Sequence, residues 1–373
     1  MSSPSPAIPG ETVGAASLRV GLTRAASSFG SELAALLGLG GVQVVGLDRH
    51  AGSLAGVEWR PGDIAAPSVV GALDDVDVLV HLAGEPDLGS ALAEQPAVRR
   101  TRQLDQVRTL TTAAAAAGVS RLLVVTSTMV HGARADNPVP IPEDSPLRST
   151  DPEGLVSDLV AAEAELAAVA ALHPRLQVVV VRPAALVGPG VDTMITRHFE
   201  APRLLTLRDT HPAWSFCHVE DLASALLLLA RGEDRGRARG QVAVSAPGFL
   251  TQTEVEVITG MRHIELSQVA AFSAAERLHR LGVVPVPATD LAFIAHPWSV
   301  EPERLLASGW RPVHDNASCL RTLLEGAHGN HALMSRRVRS RDALGAAAAA
   351  TAASAAVAAV ATAALMRRRR DRG

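Results

Sequence analysis

Tyrosine and lysine are both missing from this 373-residue chain: the tyrosine count is zero, and all 35 Lys+Arg residues are arginine. Arginine keeps its proton at any working pH, so it makes a poor general base and no Schiff base. Any mechanism that needs a tyrosine hydroxyl or a lysine amine is closed. Cysteine is scarce too, with only Cys217 and Cys319, far apart in sequence. They read as two buried thiols in a reducing compartment, which places the folded part in the cytoplasm. Excess positive charge is absent: the net charge of −3 excludes the electrostatic footprint of a nucleic-acid binder. Residues 1–16 are rich in Ser, Pro, Gly and Ala, with no charged run leading into an apolar one. They read as a disordered lead-in, not a signal peptide.

What is present is apolar. Hydrophobic residues make up 47% of the chain, enough for one large α/β domain with a lobe, or for two domains. The stretch from Leu18 to Leu37 reads as a buried strand (Leu18–Leu22), a tight turn, and a helix starting near Ser28. In a doubly wound sheet this turn brings a dinucleotide pyrophosphate to a helix N-terminus, and it usually carries three glycines. Only Gly30 remains; Arg24 and Ser27 stand at the other two positions. Further strands are expected at Val42–Leu47, Val57–Arg60, Val76–Leu82, Arg121–Thr126, Gln177–Val181 and Gln241–Ser245, with a helix from Pro96 to Ala117. Strands alternating with helical patterns argue for βαβ units and a mostly parallel Rossmann sheet. Asp48 closes the second strand, about 20 residues past the turn, where a carboxylate accepts from a ribose hydroxyl. It would repel a 2′-phosphate, so NAD is favoured over NADP, with Arg49 and Arg24 as partial offsets.

These landmarks carry a resemblance. The segments His81-Leu82-Ala83-Gly84, Ala117-Gly118-Val119, Thr126 to Gly132, Arg182-Pro183 with Gly188-Pro189-Gly190, Phe216 to Ala223, and Gly309-Trp310-Arg311-Pro312 occur in order. Together the chain resembles an extended short-chain dehydrogenase of the NAD-dependent epimerase/dehydratase family, which works on nucleotide sugars. The resemblance covers about residues 18–325. It implies a Rossmann core (about 17–182 plus 206–246) and a smaller substrate lobe (about 183–205 and 247–330). It also implies a cofactor surface of Thr23, Arg24, Ser28, Phe29, Gly30, Asp48, Arg49, Asp63, Ile64, Leu82, Ala83 and Gly84. A nucleotide-sugar ligand follows from it, and a homodimer through two long helices is compatible with it. No metal ligands are expected.

The family's chemistry uses a Ser/Thr and a Tyr-x-x-x-Lys pair on one helix. The lysine and the oxidised nicotinamide lower the tyrosine pKa until it takes the substrate proton. Ser127 falls on the Ser/Thr position, while Leu155 and Leu159 occupy the Tyr and Lys positions. As a leucine pair at i, i+4 they read as core contacts of an amphipathic helix. His131, Asp158 and Glu163 are the conceivable substitute bases. The His reads instead as packed beside the strand end, and the two acids as capping or solvating their helix. Ala185 and Val187 stand where the family often places Asn and Tyr, removing polar groups that would orient a sugar. Asp221 reads as a structural helix-start residue, and Trp214 and Phe216 as core.

Residues 331–342 read as a basic linker, 343–366 as an Ala-rich run without charge, and 367–373 as a basic tail. The run is long enough to span a bilayer, so a membrane anchor is expected, though Ala is a weak hydrophobe and a good helix former. Three functions fit: a catalytically degenerate NAD(P)-binding sensor or scaffold, an active nucleotide-sugar epimerase, dehydratase or reductase using Ser127 and an unusual base, or a membrane-tethered interaction protein that binds no nucleotide and so has no cofactor.

Overall fold

A computed structural model describes residues 17–84, 87–148, 154–281 and 287–337, the last eleven by backbone alone. The Rossmann core runs β1 (Arg19–Thr23), α1 (Ser28–Leu39), β2 (Gln43–Asp48), β3 (Val57–Pro61), α2 (Val69–Ala72), β4 (Val78–Leu82), α3 (Leu88–Ala93), α4 (Pro96–Ala117), β5 (Arg121–Val125), α5 (Leu155–Ala170) and β6 (Gln177–Pro183). Then come β7 (Ala185–Val187), α6 (Met194–Glu200), β8 (Leu204–Leu207), β9 (Ala213–Trp214), β10 (Phe216–His218), α7 (Val219–Ala230) and β11 (Gly240–Val244). The chain continues through β12 (Leu250–Thr251), α8 (Gln252–Thr259), β13 (His263–Leu266), α9 (Gln268–Arg280), α10 (Ala292–Ala295), α11 (Glu303–Ala307) and α12 (Asn316–Arg337).

Seven strands form one sheet in the order β11-β6-β5-β4-β1-β2-β3, and every neighbouring pair is parallel. Alternate side chains point to opposite faces. Val20, Leu22, Val44, Val78, Val80 and Leu82 therefore pack with Leu33, Leu37, Leu222 and Leu226 of α1 and α7. Val45, Leu47, Leu79, Leu122 and Val124 pack with Val107, Leu110 and Leu166 of α4 and α5 on the other face. A sheet buried on both faces reads as near-continuous apolar runs, which is why its strands were legible. They differ from expectation by a residue or two at their ends. The largest shifts are two residues each: β4 begins at Val78, because the Val76 amide still closes a turn onto the Leu73 carbonyl, and β6 runs on to Pro183.

The lobe is built from three two-stranded ladders, β7 with β10, β8 with β13 and β9 with β12. Its core gathers Phe199, Trp214, Phe216 and Trp298, so Trp214 and Phe216 are core residues as expected. Helix α12 runs on to Arg337, so the first part of the expected linker is helical. Among the described residues no helix is long and apolar enough to cross a membrane. The expected lead-in at 1–16, the Ala-rich run at 343–366 and the basic tail at 367–373 lie outside the described residues.

Candidate functional site

The sheet order reverses at β1: the chain goes from β1 to β2 and β3 on one side, and returns at β4 on the other. In open α/β sheets ligands lie across the carboxyl ends of the strands at such a switch point. The β1–α1 turn stands at that switch point, and a cleft opens beside it at the end of β5.

The turn is held by what replaced its glycines. Ser27 caps α1, accepting from the Gly30 amide at 3.0 Å and donating to the Arg24 carbonyl at 2.8 Å. Gly30 is obligatory: a Cβ there would lie 2.0 Å from the Arg24 carbonyl oxygen. Arg24 is left-handed (φ 55°). Its amide donates to the Leu47 carbonyl at 2.9 Å. Its Nε donates to the Leu82 carbonyl at 3.1 Å, and Nη2 to Gln106 Oε1 at 3.1 Å. Asp48 accepts from the amides of Ala26 (3.0 Å) and Arg49 (2.7 Å). Arg49 and Asp63 form a loose exposed pair at 3.9 Å.

The other expected cofactor residues separate into two groups. Ser28, Phe29, Asp48 and Gly84 border the site. Thr23 and Ala83 are fully buried and present no surface to a ligand. The Thr23 hydroxyl sits 2.9 Å from His81 Nδ1 and accepts from the Leu82 amide at 3.0 Å, clamping β1 to β4. Ala83 is tied on both sides, its amide to the Val125 carbonyl and its carbonyl to the Gln103 amide. Ile64 is buried in the core beneath. Burial, with the Arg24 charge adding, pushes His81 down to about 3.

At the end of β5 a cleft of about 170 Å³ is lined by Phe29, Leu82, Met129, Leu155, Leu159 and Ile195 among others, with Thr126, Ser127 and Thr193 as its hydroxyl-bearing residues. The two leucines are therefore cleft residues as much as core: Leu159 also packs against the apolar layer beneath the sheet. Ser127 Oγ accepts from the Met129 amide at 3.2 Å, capping a short 3-10 turn. Ala185 lines the cleft without a polar group, and Val187 is fully buried.

The substitute bases do not reach this cleft as free groups. Asp158 pairs with Arg99 at 2.7 Å, both side chains no more than 5% exposed. Glu163 pairs with Arg182 at 2.6 Å and accepts from the Thr126 hydroxyl at 2.7 Å. Both acids are thus buried ion-pair partners, not the solvated or capping residues expected. No short-range spacing signals these pairs, and only the fold brings them together. Burial raises Asp158 despite its arginine. His131 is buried with Nε2 3.3 Å from Arg182 Nη1, and burial plus that charge lowers it to about 4. It packs beside the strand end, as expected.

Elsewhere, Asp221 receives the amides of Val313 (2.7 Å) and His314 (3.1 Å), tying the lobe's last segment to α7. The side chain that caps α7 is His218, not Asp221. Cys217 and Cys319 are free and buried; burial pushes both thiols up, Cys319 to about 12. They are unreactive thiols. No metal ligands were expected, yet among the described residues His218, Glu220 and His314 bring ligand atoms within 4.8 Å of one another. His218 Nδ1 already accepts the Glu220 amide, and the positive end of α7 opposes a cation there.

A nicotinamide dinucleotide is the cofactor that the fold implies. Two parts of the groove suit it: Asp48 at the end of β2, and the first turn of α1, whose Ser28 and Phe29 amides have no partner within the helix. The crevice between β1 and β4 does not, because the Arg24 guanidinium lies across it.

Comparison with known proteins agrees with the topology. The model of the NAD dependent epimerase/dehydratase family matches residues 23–245. Among solved structures, MoeE5 with UDP-glucuronic acid and NAD is 23% identical, with a TM-score of 0.63 over 84% of this chain and 99% of its own. A UDP-glucose-4-epimerase from Stenotrophomonas maltophila, with NAD and formylated UDP-arabinopyranose, is 20% identical, with a TM-score of 0.64 over 86% and 99%. DesIV, a dTDP-glucose 4,6-dehydratase from Streptomyces venezuelae, is 18% identical, with a TM-score of 0.63 over 85% and 98%. At these identities the likeness is one of fold. An uncharacterized protein of Mycobacterium tuberculosis is 24% identical over 213 residues, 52% of this chain and 56% of the relative, as is its counterpart in Mycobacterium bovis. The chain spans about half the length of the curated relatives it matches.

Proposed function

This chain belongs to the NAD dependent epimerase/dehydratase family, and from that premise we propose that it is a member without proton-transfer chemistry, a scaffold that binds or senses a ligand and does not convert it. The supporting observation is the cleft at the end of β5. Leu155 and Leu159 line it where an acid/base pair would stand, and the sequence holds no tyrosine or lysine to take their place. A serine hydroxyl needs a neighbouring base to act. The two acids that could serve as substitute bases are committed elsewhere, Glu163 to Arg182 and Asp158 to Arg99.

What the cleft can do is bind. At about 170 Å³ it is close to the roughly 150 Å³ of an engineered apolar cavity that takes up benzene. Its walls suit an uncharged ring-sized group, with the Ser127 hydroxyl for orientation. MoeE5 was solved with UDP-glucose and NAD; a nucleotide sugar and NAD are therefore the ligands to test first. Asp48 favours NAD over NADP.

The test uses the full chain with NAD+ and UDP-glucose, UDP-galactose, UDP-glucuronic acid or dTDP-glucose. Sugar protons are followed by NMR, and unfolding temperatures are recorded in parallel. The expected result is no new sugar with any substrate, and a thermal shift with at least one. A ligand at a hundred times its dissociation constant adds about 2.7 kcal/mol of stability, a readily measured shift. Conversion that Ser127→Ala abolishes would overturn the proposal in favour of an active enzyme. No shift with any of these ligands would favour a protein that works through surface contacts alone.

A further inference from the structure

The crevice that a dinucleotide crosses in this fold lies between the carboxyl ends of β1 and β4. A glycine turn leaves that crevice open and lets the ligand backbone come close. Here the residue just after β1 is Arg24, held at φ 55°, a conformation costly to any residue with a Cβ. The conformation aims its side chain back over the crevice. Nε donates at 3.1 Å to the carbonyl of Leu82, the last residue of β4. Nη2 donates at 3.1 Å to Gln106 Oε1 on α4. One side chain thus bridges the two strand ends and the helix behind them. Gln106 is itself buried, so it is a fixed acceptor and not a mobile surface group.

We propose that Arg24 is an internal occupant of the dinucleotide crevice, competing with the cofactor where it crosses the carboxyl ends of β1 and β4. The proposal goes beyond catalytic silence, which rests on Leu155 and Leu159 in the cleft at the end of β5. The rival role for Arg24 is that of a phosphate ligand. To serve it, the guanidinium would have to give up the Leu82 carbonyl and Gln106, both at ordinary hydrogen-bond distance. The rest of the groove is already equipped without it: Asp48 stands at the ribose end and the first turn of α1 at the pyrophosphate end. The Gly188–Gly190 loop also lies against that first turn. A Cβ on Gly190 would sit 2.6 Å from the Ser28 carbonyl oxygen and 2.9 Å from the Phe29 nitrogen. In the crevice between β1 and β4 the Arg24 side chain is itself the departure from a cofactor-ready shape.

Arg24→Gly is a gain-of-function test that the fold should tolerate, since glycine adopts positive φ without strain. The full chain, Arg24→Gly and Gln106→Ala are titrated by calorimetry with NAD+, ADP-ribose and nicotinamide mononucleotide, after circular dichroism has shown that each is folded. Arg24→Gly is expected to bind NAD+ and ADP-ribose at least tenfold tighter than the unaltered chain. Gln106→Ala, which cuts one tether, should fall between them. Nicotinamide mononucleotide should gain less, because it lacks the pyrophosphate that spans the switch point. Equal or weaker NAD+ binding by Arg24→Gly would overturn the proposal, and so would a folded variant that binds none at millimolar concentration. The two readings fail separately: a variant that binds NAD+ and still converts no sugar upholds both, while one that fails to bind refutes only the occupant.

Discussion

Replacing Glu163 by glutamine should be among the most damaging single changes available near the cleft. Its carboxylate takes the Thr126 hydroxyl at 2.7 Å and Arg182 Nε at 3.1 Å on one oxygen, and Arg182 Nη2 at 2.6 Å on the other. The side chains of Arg182 and Glu163 are only 8% and 5% exposed. Arg182 cannot shed its proton, so removing the counter-charge leaves a buried cation. Its remaining neighbours are the neutral ring of His131 and the Glu143 carbonyl, at 3.3 and 3.4 Å. Breaking one side of a buried pair costs about 3–5 kcal/mol, against a total stability of about 5–15 kcal/mol for a native protein. Urea denaturation should therefore show Glu163→Gln losing at least about 3 kcal/mol. Arg182→Met on top of it should recover part of the loss, because the double variant buries no unpaired charge. A Glu163→Gln midpoint indistinguishable from that of the unaltered chain would refute the reasoning, as would a double variant whose losses simply add.

Acid should destabilise the chain well before its exposed carboxylates titrate. Burial holds His81 at about 3 and His131 and His198 at about 4, all below the unfolded value near 6.5. Their contribution is complete above pH 6.5 and is lost as pH falls toward 4. At about 1.4 kcal/mol per proton per pH unit, the three together cost up to about 4 kcal/mol between pH 6 and pH 5. Glu143 and Asp158, both raised by burial, offset part of it. A urea midpoint that holds or rises from pH 6 to pH 5 would contradict this. Gly30→Ala should unfold the β1–α1 turn, since its methyl would meet the Arg24 carbonyl oxygen at 2.0 Å; overpacking of this kind costs about 1–3 kcal/mol or more. Gly38→Ala, further along the same helix, meets nothing within 4 Å. It should be neutral or gain up to about 1 kcal/mol, and the contrast in melting temperature separates steric clash from helix propensity.

The sheet was legible because each of its strands announces itself locally. Buried parallel strands are apolar at successive positions, and α4 carries its own boundaries, a proline at its start and left-handed Gly118 after its end. Ser127, Leu155 and Leu159 were assigned through the family resemblance, and the structure brings all three to one cleft. The ion pairs were not legible. Arg99 and Asp158 are 59 residues apart, Glu163 and Arg182 19, and no periodicity links them. The clamp between Thr23 and His81 escaped for the same reason, its partners lying on neighbouring strands 58 residues apart. A leucine pair at i, i+4 reads alike whether it faces a core or a cleft, so only the fold separated the two. For Arg24 the sequence showed a lost glycine. Which way the side chain turned depended on acceptors that the neighbouring strand and α4 supply.

Catalytic silence has one direct spectroscopic test. Net oxidation of a sugar leaves reduced cofactor behind, and an epimerisation or dehydration that returns the hydride still passes through it, so NAD+ mixed with UDP-glucose and the full chain at equal concentration in stopped flow should develop a lasting or a transient band at about 340 nm if any sugar carbon is oxidised. With Arg24→Gly in place of the unaltered chain, the same mixture tests reactivity with the crevice cleared. Flat traces from both proteins are the outcome expected of a cleft walled by Leu155 and Leu159. A rising band from either one would show that a proton acceptor exists which this reading of the site lacks.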